Sequence, residues 1–293
     1  MNQPLDVITL LRQRSENGAR AERHLAKVVL ADVKWAAHAP IAEIAETAGV
    51  SEPTVTRLAT RMGFRGTRDL KIQLAQALVI GGAFMDSIGE SIDLGKSRAV
   101  LAVCRQAHNA LNYIEQSVDE HKIERIANRF ATADKIFIFG TGGISSFIAE
   151  ELRFRLFRLG LNVTSENDAQ IQRMNAALST ETTAVIGFSV SGNSPSVCDS
   201  LRIASEYGAE TFSVTAPGSE LFEQADLSIP FKYAEDGNYY KPSSTRFALL
   251  ALGDIIALKT AEKVGPVALE NMRRIKMSLT TANHNDPSMP LGD

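Results

Sequence analysis

Along the first eighty residues the apolar positions recur every three or four places, as in Val7, Leu10 and Leu11 or in Leu25, Val28, Val29 and Leu30. That spacing lays one stripe of a helix against a core. β-Branched runs are few, so the stretch is predicted to be helical until Gly81-Gly82 breaks it. A looser amphipathic segment follows from Ser97 to about Phe130, with Val100, Leu101, Cys104, Ala107, Leu111 and Ile114 along one face. At Lys135 the period changes. KIFIFG is a short apolar run closed by glycine, ISSFIAEELRFRLFRLG is helical, LNVTS and TTAVIGFSV are strand candidates, and SPSVCDSLRIASEYGA is a helix. ETFSVTA and ADLSIPF complete an alternation that implies a parallel sheet covered on both faces. A long helical run from Ser243 to Lys263 follows, then MRRIKMSL, then the polar stretch TTANHNDPSMPLGD, expected to fray.

These patterns predict an all-α N-terminal domain over 1–80, a linker and connecting helix over 81–120, an α/β domain with a parallel sheet sandwiched by helices over 121–280, and a flexible tail over 281–293. With 293 residues, 44% of them hydrophobic, the chain can bury two cores. Its net charge of −3 argues against a protein that coats nucleic acid. The average hides an asymmetry, because residues 1–80 hold eleven Lys and Arg against eight Asp and Glu while the remainder is acidic. A small DNA-contacting module joined to a larger body would be charged this way. Cys104 and Cys198 are too far apart for a zinc-ligand spacing or a disulfide framework. The short apolar run at the N-terminus has Asp6 ahead of it and Arg12 and Arg14 behind, unlike a signal peptide. No window approaches the roughly 18 apolar residues of a membrane span. The chain is therefore expected to be soluble and cytoplasmic, with no membrane partner.

IAEIAETAGVSEPTVTRLATRMGF reads as two helices joined by a tight turn, a helix-turn-helix. Ile41, Ile44 and Ala45 face inward on the first, and Gly49 suits the left-handed backbone of the turn. Ser51 is the expected N-cap of the second helix, Pro53 fits its first turn, and Val50 and Val55 occupy hydrophobic-staple positions. Val55, Leu58, Ala59 and Met62 form a buried stripe that leaves Glu52, Thr54, Thr56, Arg57, Thr60 and Arg61 outside it. Short hydroxyls and arginines are the equipment for entering a major groove. With Ser51 they are the candidate DNA-binding face, and Arg65, Arg68 and Lys71 downstream are candidate phosphate grips. A plain helical hairpin would share the periodicity. The staple, the glycine turn and the local positive charge favour double-stranded DNA as the partner.

Two loops follow apolar strands in the second half. In GTGGISS the glycines, Gly142 among them, let backbone N–H groups approach an oxyanion, and Ser145 and Ser146 open a helix whose N-terminus favours negative charge. In SVSGNSPS, Gly192 permits a sharp turn, Ser189, Ser191 and Ser194 supply hydroxyl donors, and Pro195 starts the next helix. Neutral donors at a helix end suit a phosphate dianion without an arginine. One such loop alone is more often a solvated turn; two at neighbouring strand ends, where open parallel sheets bind ligands, point to a phosphate site.

AGVSEPTVTRLATRMGFRGTRDLKIQLAQAL resembles the helix-turn-helix end of the RpiR/MurR family of bacterial repressors. The likeness continues through QIQRMNAAL, the APGSEL segment, YKPSSTR and MRRIKMSL, and so covers nearly the whole chain. The resemblance implies a C-terminal SIS (sugar isomerase) domain, a flavodoxin-like sandwich that binds phosphosugars through two strand-end loops. It further implies a regulator, usually a repressor, of carbohydrate catabolism genes. Its partners would be operator DNA, a phosphosugar effector (2-keto-3-deoxy-6-phosphogluconate foremost) and further copies of the chain, as a homodimer or homotetramer. GTGGISS is one residue longer than the family's G-x-G-x-S spacing, and Ser145 is matched to the family serine by counting back from the following helix. Lys241 and Arg246, in YKPSSTR, are candidates to contact a sugar carboxylate, or else surface and subunit-contact residues.

SIS domains also occur in isomerases, so a phosphosugar isomerase is the alternative. Aldose–ketose isomerisation needs a general base, commonly Glu or His. His24, His38, His108, His121 and His284 all lie outside the two loops, and Glu150 and Glu151 sit one to two turns into the helix after the first. Ser/His/Asp, HExxH, Walker-type and metal-ligand patterns do not occur, so no catalytic residue, metal or cofactor is assigned. A purely structural dimerisation domain is a third reading, which leaves two anion-ready loops without a purpose.

Overall fold

Apolar spacing and capping together set the helices of the N-terminal region: α1 (Val7–Asn17), α2 (Arg20–Ala31), α3 (Val33–His38), α4 (Ile41–Thr47), α5 (Glu52–Arg61) and α6 (Thr67–Asp86). The computed structural model describes residues 6–86, 96–233 and 243–283. It falls into two units, the first made of these helices. Asp6 caps α1 by accepting from the Ile8 N–H at 2.8 Å, and Asp32 caps α3 by accepting from Trp35 N–H at 2.7 Å. Leu11, Leu25, Leu58 and Leu74 meet in one core, with Ile44, Val55 and Met62 supplied by the helix pair α4–α5. α6 does not stop at Gly81-Gly82 as the sequence suggests; it runs to Asp86. A glycine inside a helix costs about 1 kcal/mol, a preference that the helix-forming residues around it override.

The second unit begins with α7 (Lys96–Ser117) and α8 (Glu120–Thr132). The single amphipathic segment expected there is two helices, because Asp119 starts a new one by accepting from the N–H groups of His121 and Lys122 at 3.0 and 3.4 Å. Ala110 and Ile114 of α7 are buried in the core of this unit, so part of the expected linker is structural. Then come β1 (Lys135–Gly140), α9 (Gly143–Arg158), β2 (Val163–Glu166), α10 (Ala169–Ala177), β3 (Thr183–Ser189) and α11 (Pro195–Glu206). β4 (Glu210–Thr215), α12 (Glu220–Gln224), β5 (Leu227–Pro230), α13 (Thr245–Val264) and α14 (Pro266–Asn283) complete it. α14 thus extends into the stretch expected as tail, whose residues 284–293 lie outside those described.

All the strand pairs are parallel, in the order β2-β1-β3-β4-β5, a doubly wound arrangement. The central strands β1 and β3 are covered on both faces, which is why they read as nearly continuous apolar runs, whereas the edge strand β2 is half-buried and polar. Ile136 and Ile138 of β1 join Ile186 and Phe188 of β3 beneath α8, α9 and α13. Phe137, Phe139 and Val185 face the other way, onto Val197 and Leu201 of α11. Phe130 and Phe212 close the first core edge to face, with ring centroids 5.9 Å apart. The order of the strands reverses between β1 and β3, and their carboxyl ends are where such a sheet leaves a crevice. Among the described residues no helix is long and apolar enough to cross a membrane.

Candidate functional site

Both expected loops leave the sheet at that reversal. Gly140 ends β1 opposite Phe188, and Ser189 ends β3 opposite Thr215 of β4. The loops meet directly. Thr141 Oγ1 lies 2.7 Å from Ser194 Oγ and 3.1 Å from Ser196 Oγ, tying the end of β1 to the first turn of α11. α9 begins at Gly143 with Gly142 as N-cap, and α11 begins at Pro195 with Ser194 as N-cap; no side chain caps either helix. In the same unit α8, α10 and α12 are closed by Asp119, Asp168 and Ser219. The first-turn N–H groups of α9 and α11 are therefore left for an outside acceptor, beside a row of hydroxyls and the positive ends of two helix dipoles.

The expected residues divide between surface and scaffold. Gly142 is exposed at φ +65°, Ser191 is exposed, and Ser194 and Ser146 are half-buried. Ser146 Oγ donates to Gly143 O at 3.0 Å. Ser145 and Ser189 are buried, beneath the loops rather than on them. Ser189 Oγ accepts from the Gly192 N–H at 3.1 Å and so shapes the second turn from below. Gly192 is packed against the end of β4: a Cβ there would lie 1.9 Å from Ser219 Oγ and 2.6 Å from Thr215 Oγ1. Lys241 lies outside the described residues. Arg246 stacks its guanidinium 4.8 Å from the centre of the Phe247 ring.

Ser196 belongs to the hydroxyl row that the sequence shows after TTAVIGF, whereas Thr141, Thr215 and Ser219 were not assigned to a site from the sequence. Thr141 stands inside the first quoted loop, and TAPGS directly after ETFSV has the same grammar as the other two loops. Gln172 of α10 lies in QIQRMNAAL, quoted for the family likeness, but was given no role from the sequence. Its buried amide donates to Glu166 O at 2.8 Å and Gly140 O at 3.4 Å, holding the ends of β1 and β2 together.

Carboxylates near the loops are already occupied. Glu150 is held below the usual carboxylate range, first by the hydrogen bond from Arg153 and also by the Ser165 hydroxyl. Glu151 pairs with Arg155 at 2.9 Å. Cys198 of α11 points its thiol at Gly192 O, 3.7 Å away, and burial, then the charge of Glu220, pushes its pKa up to about 11. At pH 8 it stays a thiol. Iodoacetamide at that pH is expected to alkylate the exposed Cys104 and to spare Cys198 until denaturant is added, as mass spectrometry would show. Labelling of Cys198 in the native protein would mean that the second loop opens.

In the first unit the turn between α4 and α5 has Gly49 at φ +58°, as expected. Ser51 stands at the N-cap of α5, but its hydroxyl caps no backbone group. Pro53 has no N–H to offer, and the Thr54 N–H is taken by Ser51 O at 2.8 Å. The Ser51 hydroxyl instead lies 3.0 Å from Thr54 Oγ1, which accepts from Arg57 Nη2 at 3.1 Å. Ser51, Thr54 and Arg57 thus form a linked polar edge, with Glu52 exposed beside it and Thr56 bonded to Glu52 O at 3.3 Å and near Thr67 Oγ1 at 3.2 Å. Arg65 is exposed, its backbone N–H given to Asp69 at 2.9 Å. Two other expected DNA contacts have partners within the unit. Arg61 is paired with the buried Glu22 of α2, and Lys71 Nζ donates to His38 O at 3.2 Å.

Known proteins bear on both units. The helix-turn-helix domain of the rpiR family matches residues 5–80, and the SIS domain matches 129–259. The HTH-type transcriptional regulator HexR of Escherichia coli (strain K12) is 28% identical over 289 residues, 99% of this chain and 99% of that one. HexR of Pseudomonas aeruginosa is 29% identical over 280 residues, 95% of this chain and 97% of that one. The solved structure of the Vibrio vulnificus NanR protein complexed with ManNAc-6P shares the fold, with a TM-score of 0.60 at 21% identity over 95% of this chain and 100% of that one.

Proposed function

Because the chain belongs to the rpiR family by its helix-turn-helix domain and carries a SIS domain behind it, we propose that it is a transcriptional regulator controlled by a phosphosugar. The observation that carries the effector site is the meeting of two uncapped helix starts and a hydroxyl row at one strand-order reversal. The phosphoryl group sits on the first-turn N–H groups of α9 and α11, with Ser191, Ser194 and Thr141 donating to it. Ser145, Ser189 and Gly192 shape the loops. The likeness to the two HexR transcriptional regulators supports the regulatory role, and the resemblance of the sequence to RpiR/MurR repressors extends it to carbohydrate catabolism genes, as a repressor, with 2-keto-3-deoxy-6-phosphogluconate as the leading effector.

Two copies of the α4–α5 module on a symmetric homodimer, or on a homotetramer built from it, read a near-palindrome whose half-sites lie about one DNA turn (~34 Å) or a multiple apart. Effector binding acts by favouring one arrangement of those modules, and a tenfold change in operator affinity needs only about 1.4 kcal/mol of coupling. Switching rather than turnover is favoured because Glu150 is a weakened base engaged by Arg153 and Ser165.

Thermal denaturation against a panel of phosphorylated sugar acids, phosphohexoses and their unphosphorylated counterparts tests this. Phosphorylated members alone are expected to stabilise the protein, by about 1.4 kcal/mol at ten times Kd, and to come back unchanged. Conversion of any of them, or stabilisation by none, overturns the reading.

A further inference from the structure

On α2, Arg20, Arg23, His24 and Lys27 stand three, one and three residues apart, which places them on one face of the helix. All four are exposed, and among the described residues none has an acidic partner. The opposite face, through Glu22, Leu25, Ala26 and Val29, is buried. The stripe is not at a remote corner of the unit. It lines a groove of about 600 Å³ whose other wall is Ala48, Gly49 and Val50, the turn that leads into α5. The linked edge of Ser51, Thr54 and Arg57 begins one residue beyond that wall.

We infer that this face of α2 is a second DNA-contacting surface, one that grips the sugar-phosphate backbone beside the groove entered by α5. The inference rests on the reading of α5 as the groove-reading helix. A helix about 10–12 Å across fills a major groove about 12 Å wide, so a phosphate backbone runs close along its flank. The groove beside the α4–α5 turn is open to receive it. From Arg20 to Lys27 the stripe is about 10 Å long at 1.5 Å per residue. One strand presents a phosphate every 3.4 Å of axis, and because the backbone runs obliquely to that axis the stripe faces about two to three of them. Cations with no partner of their own gain most from such a surface, since no intramolecular ion pair must be broken. These contacts carry no base information; they fix the register of α5 and add a salt-dependent term.

The test uses the full-length protein and an operator that the wild type selects from a random duplex library. Arg20→Gln, Arg23→Gln and Lys27→Gln are combined, and affinity is measured across a salt series for the operator and for unrelated duplex. The triple variant is expected to bind both duplexes about tenfold more weakly at moderate salt. The slope of log affinity against log salt should be shallower by about 2 to 3, near 0.9 for each phosphate no longer neutralised. Lys34→Gln removes a charge from the same unit outside the groove and should leave the slope unchanged. An unchanged slope in the triple variant, or an equal loss per charge with Lys34→Gln, overturns the inference while α5 remains the reader. A wild type that retains no duplex at all overturns the regulatory reading and this surface with it.

Discussion

Gly192→Ala is expected to abolish the response to phosphosugar, lowering affinity for it at least a hundredfold, while binding to duplex DNA persists. The backbone there has φ +74°, a left-handed conformation that costs a residue with a Cβ about 1–2 kcal/mol. Strain is the smaller part. The new methyl would lie 1.9 Å from Ser219 Oγ and 2.6 Å from Thr215 Oγ1, so the second loop must lift off the end of β4. Lifting it pulls Gly192 N–H away from Ser189 and carries Ser194 away from Thr141 of the first loop. A phosphate held by several short hydrogen bonds does not survive a displacement of about 1 Å. Gly142→Ala separates geometry from strain. Gly142 also has a positive φ, +65°, with ψ 156°, a region open essentially to glycine and costing about 1–3 kcal/mol, but a Cβ there meets nothing within 4 Å. That variant should lose no more than this strain and therefore less than Gly192→Ala. Calorimetry with the phosphosugar that stabilises the wild type gives both numbers, and near-native binding by Gly192→Ala would remove the second loop from the site.

The strand-and-loop grammar that exposes this site was open to sequence reasoning because a parallel sheet covered on both faces imposes it. KIFIFG and TTAVIGF are apolar almost throughout, while ETFSVT alternates Phe212 and Val214 with buried hydroxyls, and the Gly/Ser loops follow the first two. The turn before α5 was legible for a similar reason: Gly49 at φ +58° and Pro53 in the first turn each answer a local backbone demand. What escaped was long-range or was decided by competition. The contact of Thr141 with Ser194 joins residues 53 apart, and no local pattern announces it. The division of α7 from α8 turned on Asp119, whose capping bonds outweigh the amphipathic stripe running across it. At Gly81-Gly82 the balance went the other way, and the helix continued. Ser51 was correctly placed at a helix start, yet Pro53 removed the N–H that a capping hydroxyl could have used.

Arg57 and Arg61, adjacent on the outer stripe of α5 in sequence terms, should separate cleanly. Arg57→Ala is expected to cost about 1–3 kcal/mol of operator binding, roughly fivefold to 150-fold, with the melting temperature unchanged. Its guanidinium touches only Thr54 Oγ1 within the unit, so nothing in the fold depends on it. The loss should be concentrated on one position of the operator and be small on unrelated duplex, the signature of a base-edge contact. Arg61→Ala acts on the fold instead. Its partner Glu22 has a side chain only 8% exposed, and Arg14 Nη2 donates to the Arg61 carbonyl at 2.7 Å, so α1, α2 and the end of α5 are joined there. Removing the arginine leaves a carboxylate stranded in the core. The Arg61 side chain is 57% exposed and water screens the pair, so the cost falls below the 3–5 kcal/mol of a fully buried ion pair, at about 1–2 kcal/mol. A melting point lowered by several degrees, with operator affinity preserved at temperatures where the unit is folded, is the expected result. Operator affinity lost by Arg61→Ala in the folded state, with stability intact, would return that side chain to the DNA-facing surface and take Glu22 out of the account of what holds α5 in place.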